Sequence, residues 1–86
     1  MMPHITVYTT PYCSYCTRAK ALLTRKGVAF EEIDVSRSPA EREAMIKRAN
    51  GGYTVPQIFI GGRHVGGCDE LYALDAKGEL DRLLQS

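Results

Sequence analysis

Apolar residues along this chain recur at two spacings, every second residue or every third to fourth, and the alternation predicts strands and helices in turn. His4 to Thr9 (HITVYT) is rich in β-formers and reads as a strand, followed by a turn at Pro11-Tyr12-Cys13. From Ser14 to Lys26 the period lengthens: Ala19, Leu22 and Leu23 share one face, with Arg18, Arg25 and Lys26 outside it. Lys26-Gly27 stops that helix, a cation near its C-terminus followed by a residue that tolerates positive φ. Val28 to Val35 reads as a second strand. Ser38 then caps a second helix with Pro39 at its first position and Ala44, Met45 and Ala49 turned inward, and Asn50-Gly51-Gly52 ends it.

The remaining pattern is a hairpin and a helical tail. Gln57 to Ile60 and Arg63 to Val65 are strands joined by the two-residue turn Gly61-Gly62. Gly66-Gly67 breaks the second of them. Asp69 begins a helical region that runs to about Leu84, with Gly78 as its point of interruption. The order is βαβαββα. A strand–helix–strand unit implies a right-handed crossover and parallel pairing of the first two strands, and the tight hairpin makes the last pair antiparallel. An α/β fold with a mixed four-stranded sheet flanked by helices is expected. Met45 and the Leu22/Leu23 pair read as core.

Eighty-six residues suffice for one core, so residues 1–86 are expected to form a single domain. A net charge of +1, with acids and bases interleaved, gives no reason to expect nucleic acid or a membrane surface as partner. The opening Met1-Met2-Pro3-His4 lacks a basic, then apolar, leader, and no apolar run reaches membrane-spanning length; a cytoplasmic protein is expected. Two of the three cysteines stand in Cys-x-x-Cys, which in such a chain favours redox or metal chemistry over a disulfide framework.

Cys13-Ser14-Tyr15-Cys16 lies where the first strand gives way to the first helix. Cys13 falls at or near the N-cap, where free backbone N–H groups and the positive end of the helix dipole favour a thiolate, the attacking species in disulfide exchange. Cys16 follows by about one turn, near enough to close a disulfide with Cys13. The first cysteine should be exposed and nucleophilic, the second more buried and resolving. A structural zinc site would need four ligands, usually from a second pair; Cys68, His4 and His64 form none, so no metal site is expected from spacing. Cys68 is open to a packing role.

Two further segments carry chemistry. In Thr54-Val55-Pro56 the proline precedes a strand, and both a plain strand start with a trans bond and a cis bond exposing the Val55 backbone fit the residues. In Gly66-Gly67-Cys68-Asp69 the glycines allow close approach and a helix start offers N–H groups to a carboxylate. Asp69 reads as a helix cap, as a partner for a ligand ammonium, or as both.

Together these segments resemble the glutaredoxins, in particular the small bacterial dithiol type, over almost the whole chain. The likeness rests on Tyr8, on Cys13-Ser14-Tyr15-Cys16 with Arg18-Ala19-Lys20, on Thr54-Val55-Pro56-Gln57-Ile58-Phe59-Ile60, and on Gly66-Gly67-Cys68-Asp69-Glu70-Leu71. The cysteine motif alone is shared with thioredoxins; its combination with the other two is far more specific. The resemblance implies a thioredoxin fold and a cis Pro56. It implies a glutathione site in which the Val55 backbone pairs with the tripeptide's cysteine, Tyr15 and Thr54 contribute, and Gly67, Cys68 and Asp69 take its γ-glutamyl end. It further implies a monomeric enzyme that reduces glutathione mixed disulfides and protein disulfides through Cys13 and Cys16, with glutathione reductase as the indirect electron source.

Two positions depart from the family pattern. Ser14 stands where proline is usual, which restores a backbone donor beside the sulfur. Thr10 stands where many relatives have a lysine for the glycine carboxylate, leaving Lys20, Arg48 and Arg63 as replacement cations. The serine motivates a second function, a [2Fe–2S] carrier or sensor in which Cys13 and glutathione supply the ligands. A flavoenzyme-driven protein reductase is the third reading, and the Gly-Gly-Cys-Asp segment favours glutathione over it.

Overall fold

The computed structural model of the chain describes residues 3–85. Its elements are β1 (Ile5–Thr9), α1 (Ser14–Arg25), β2 (Glu31–Asp34), α2 (Pro39–Arg48), β3 (Gln57–Ile60), β4 (Arg63–Gly66), α3 (Cys68–Ala76) and α4 (Glu79–Gln85). The sheet order is β2-β1-β3-β4. β1 pairs in parallel with β2, and β3 runs antiparallel to both β1 and β4. The mixed four-stranded α/β sheet expected from the sequence is present.

β1 and β3 are buried along their whole length because helices cover both faces of the sheet's centre. On one face Ile5, Val7, Ile58 and Ile60 pack with Ala19, Leu22 and Leu23 of α1, Cys68 and Leu71 of α3, and Leu80 and Leu84 of α4. On the other, Tyr8 and Phe59 pack with Val35 and with Met45 and Ala49 of α2. Arg48 closes that second cluster: its guanidinium lies 4.2 Å over the Phe59 ring and donates to the Tyr8 hydroxyl at 3.0 Å. Ala44, expected to face inward, is only half-buried.

Three expectations are corrected. The second strand is Glu31–Asp34, not Val28–Val35. Val28 is buried, but its N–H bonds the Leu23 carbonyl at 3.4 Å, so it closes the end of α1 and does not extend the sheet. The final helical region breaks at Gly78, as expected, but into two separate helices, making the order βαβαββαα: Gly78 has a φ of 77°, a left-handed conformation between the end of α3 and the start of α4. Lys26 holds this junction, its Nζ lying 2.6 Å from Asp75 and 2.9 Å from Asp81. Third, Asp69 does not cap α3, as described next.

Candidate active site

Cys13 is the N-cap of α1, in extended backbone geometry. The left-handed turn before it falls on Tyr12, whose φ is 61° and whose side chain stands fully in solvent. The Cys13 carbonyl starts the helix by accepting from Thr17 N–H at 3.0 Å. Its sulfur accepts from the backbone N–H of Cys16 at 3.1 Å, the bond a capping serine oxygen would make. The sulfur is half-exposed, and the Val55 carbonyl lies 4.0 Å away.

Cys16, one turn on, is 1% exposed. Burial, first, and the hydrogen bond with Cys13 together push its thiol up to about 12. It is therefore a neutral S–H at physiological pH. The two cysteines are thus differentiated as their spacing predicted, one reachable from solvent and one sealed beneath it.

The Val55–Pro56 bond is cis. Thr54, Val55 and Pro56 face the start of α3 across an open groove of about 330 Å³. All seven residues expected to contact a tripeptide line it: Tyr15, Thr54, Val55, Pro56, Gly67, Cys68 and Asp69, joined by Glu70. A second hollow of about 500 Å³ lies at the far end of the sheet, lined by Pro3, His4, Ile5, Ala29, Phe30 and Glu31, with no cysteine in its lining.

Glu70 is what the sequence reading missed. The N-cap of α3 is Gly67, and Glu70 at the third helical position reaches back to accept its N–H at 2.7 Å. Asp69 is the second helical residue and is exposed, which frees its carboxylate from capping. The Gly-x-x-Glu spacing was the available signal. Gly66 has a φ of 116°, and a Cβ there would meet Glu70 Oε1 at 2.9 Å, so the turn needs glycine on both counts.

Cys68, at the first position of α3, is buried in the core, and burial raises its thiol above the ordinary range. The cation opposing that rise is Arg18, one of the residues assigned only to the outer face of α1. The three candidate cations fare differently. None lines the groove. Lys20 pairs with Glu32 at 2.9 Å, Arg48 stacks on Phe59, and Arg63 pairs with Ile60 at the end of the sheet away from Cys13.

Among the described residues no helix is long and apolar enough to cross a membrane. Comparison with known proteins then places the chain. The glutaredoxin family model matches residues 5–65. Glutaredoxin 3 of Escherichia coli K12 is 57% identical over 84 residues, covering 98% of this chain and all of that one. The solution structure of glutaredoxin from Brucella melitensis superposes with a TM-score of 0.84 at 58% identity, over 96% of this chain and 89% of the other. The buckwheat glutaredoxin–glutathione complex superposes at 0.86 with 32% identity, over 96% and 77%. With this agreement along nearly its whole length, the chain belongs to the glutaredoxin family of thiol–disulfide oxidoreductases.

Proposed function

We propose that the chain reduces glutathione mixed disulfides by a step at Cys13 and reduces protein disulfides by using Cys16 as well. The supporting observation is the half-exposed Cys13 sulfur, held by the Cys16 N–H beside Val55, which lines the groove. The Cys13 thiolate attacks the glutathione sulfur of the mixed disulfide. A Cys13–glutathione disulfide forms, and the released thiolate takes a proton from solvent. A second glutathione thiolate then attacks the glutathione sulfur, giving oxidised glutathione and free Cys13. With a protein disulfide, Cys13 forms the mixed disulfide and Cys16, after losing its proton, attacks Cys13. The product is the Cys13–Cys16 disulfide, which two glutathiones reduce. Orientation of the sulfurs supplies the rate.

Glutathione fits the groove chemically. Its γ-glutamyl carboxylate meets the free N–H groups at the start of α3, its ammonium meets Asp69, its cysteine backbone pairs with Val55, and Tyr15 and Thr54 flank the remainder. This places its thiol against Cys13. This reading goes with a monomer in the cytoplasm, recharged through glutathione reductase. A coupled assay with glutathione, glutathione reductase and a glutathionyl mixed disulfide tests the proposal. Wild type turns over, and Cys13→Ser does not; an active Cys13→Ser would overturn it.

Ser14 supports a second reading, a [2Fe–2S] cluster shared by two copies. It is exposed at the first helical position, beside the sulfur, where proline would stiffen the turn. Among the described residues no three His, Cys, Asp or Glu side chains gather as a metal site, so one chain does not supply the four ligands by itself. Two Cys13 and two bound glutathiones complete the four thiolates that such a cluster takes. Anaerobic reconstitution with iron, sulfide and glutathione is the test, with Ser14→Pro as control. A coloured dimer from wild type alone supports it, and a colourless monomer sinks it.

A further inference from the structure

Thr54 is joined to a histidine on the sheet's edge strand. His64 Nε2 lies 2.7 Å from Gln57 Oε1, and Gln57 Nε2 lies 3.4 Å from Thr54 Oγ1. An amide oxygen only accepts and an amide nitrogen only donates. His64 must therefore donate through Nε2, and Thr54 must accept from Gln57. The threonine hydroxyl then keeps its own O–H for an acceptor in the groove it lines.

The connecting pieces are built to hold that direction. Gln57 is 5% exposed, so its amide cannot turn to water for partners. Gly52 makes room for it: a Cβ at Gly52 would meet Gln57 Nε2 at 3.0 Å. The His64 ring stacks on Phe59, with centroids 4.9 Å apart and planes at 26°. The two-residue turn Gly61-Gly62 sets Arg63 opposite Ile60 and so His64 opposite Phe59, on the face that carries Gln57.

We propose that His64 is a positioning residue, which acts through Gln57 to fix Thr54 as a hydrogen-bond donor toward a carboxylate of the glutathionyl substrate. The proposal rests on the reading of the groove as the glutathione site. Reversed, with the amide turned over, the threonine would spend its O–H on Gln57 and present only lone pairs to an anion. His64 meets the reversed amide only by changing tautomer, so an Nε2–H imidazole favours the arrangement seen without touching the substrate.

Steady-state kinetics with a glutathionyl mixed disulfide tests this on the full chain. Thr54→Val removes the donor and should raise KM about fivefold with kcat within about twofold, the loss of one hydrogen bond made equally in ground and transition states. His64→Phe keeps the stacking and loses the N–H; it should raise KM about threefold, again sparing kcat. His64→Gln returns an N–H donor and should restore KM. The double variant should be no worse than Thr54→Val alone. Should His64→Phe fold poorly, Gln57→Met interrupts the same connection and carries the same expectation. Multiplying KM effects in the double variant, or an unchanged KM in His64→Phe, would overturn the positioning role and leave Thr54 in the groove. An unchanged KM in Thr54→Val would overturn both the role and that part of the glutathione site, while loss of activity in Cys13→Ser would still uphold the reaction.

Discussion

Cys16 serves Cys13 with its backbone: its N–H donates to the Cys13 sulfur at 3.1 Å while its own thiol is sealed from solvent. The N–H contribution survives replacement of the Cys16 side chain. Cys16→Ser should therefore keep reduction of glutathione mixed disulfides, within a few-fold of wild type, and lose reduction of protein disulfides that need a second thiol. The two assays run side by side decide it. A folded Cys16→Ser protein inactive in both would exclude the route through Cys13 alone.

Asp69 is free of capping duty, so its charge is separable from helix stability. Asp69→Asn should raise the KM for glutathione roughly tenfold, the loss of about 1–2 kcal/mol for a charge-assisted hydrogen bond. Thermal stability should fall by no more than the few tenths of a kcal/mol of an exposed carboxylate near a helix N-terminus. An unchanged KM would remove Asp69 from recognition.

Glu32 carries a pH dependence of known sign. The Lys20 ammonium, first, and the Thr9 hydroxyl hold its carboxyl below the ordinary 4.5. Folding thus favours the charged form. The resulting stability is present above about pH 4.5 and disappears as pH falls through the lower native value. Glu32→Gln should be less stable than wild type at pH 7, and the two should converge in acid. Denaturant melts at pH 7 and pH 3 measure this; a gap that persists at pH 3 would assign the effect to packing.

Gly66→Ala meets two obstacles, a φ of 116° and the Glu70 carboxylate. It should cost about 1–3 kcal/mol of stability and weaken use of glutathione, because Glu70 must leave the Gly67 N–H to make room. Adding Glu70→Ala should recover part of the stability and none of the glutathione affinity. Full recovery of both would mean that the turn does not shape the groove.

The placement of the cysteines was legible because the period changes between Thr9 and Ser14, and a cysteine at such a change falls at a helix start. β3 and its two-glycine turn were legible because their residue types admit little else. Val28 misled because apolar character signals burial, and it is buried in packing against α1 instead of in pairing. The cap of α3 misled because aspartate is a better cap than glycine in isolation, whereas here Glu70 supplies the acceptor from within the helix. The link from His64 to Thr54 was only half legible: the turn Gly61-Gly62 sets His64 opposite Phe59, on the Gln57 face, but the reach of Gln57 to Thr54 depends on how the segment before β3 folds back.

Both helices that border the groove begin at it, α1 from Cys13 and α3 from Gly67. Much of what the groove offers a ligand is therefore peptide, the Val55 edge and the opening N–H groups of α3, and only part is side chain. An alanine scan of the groove would be quiet at Val55 and loud at the glycines, inverting the usual equation of large side chains with large effects. Evolution, too, is freer to vary such a surface than its importance implies: the chain can exchange the atoms a ligand sees least while the peptide planes that hold it stay where the turns put them.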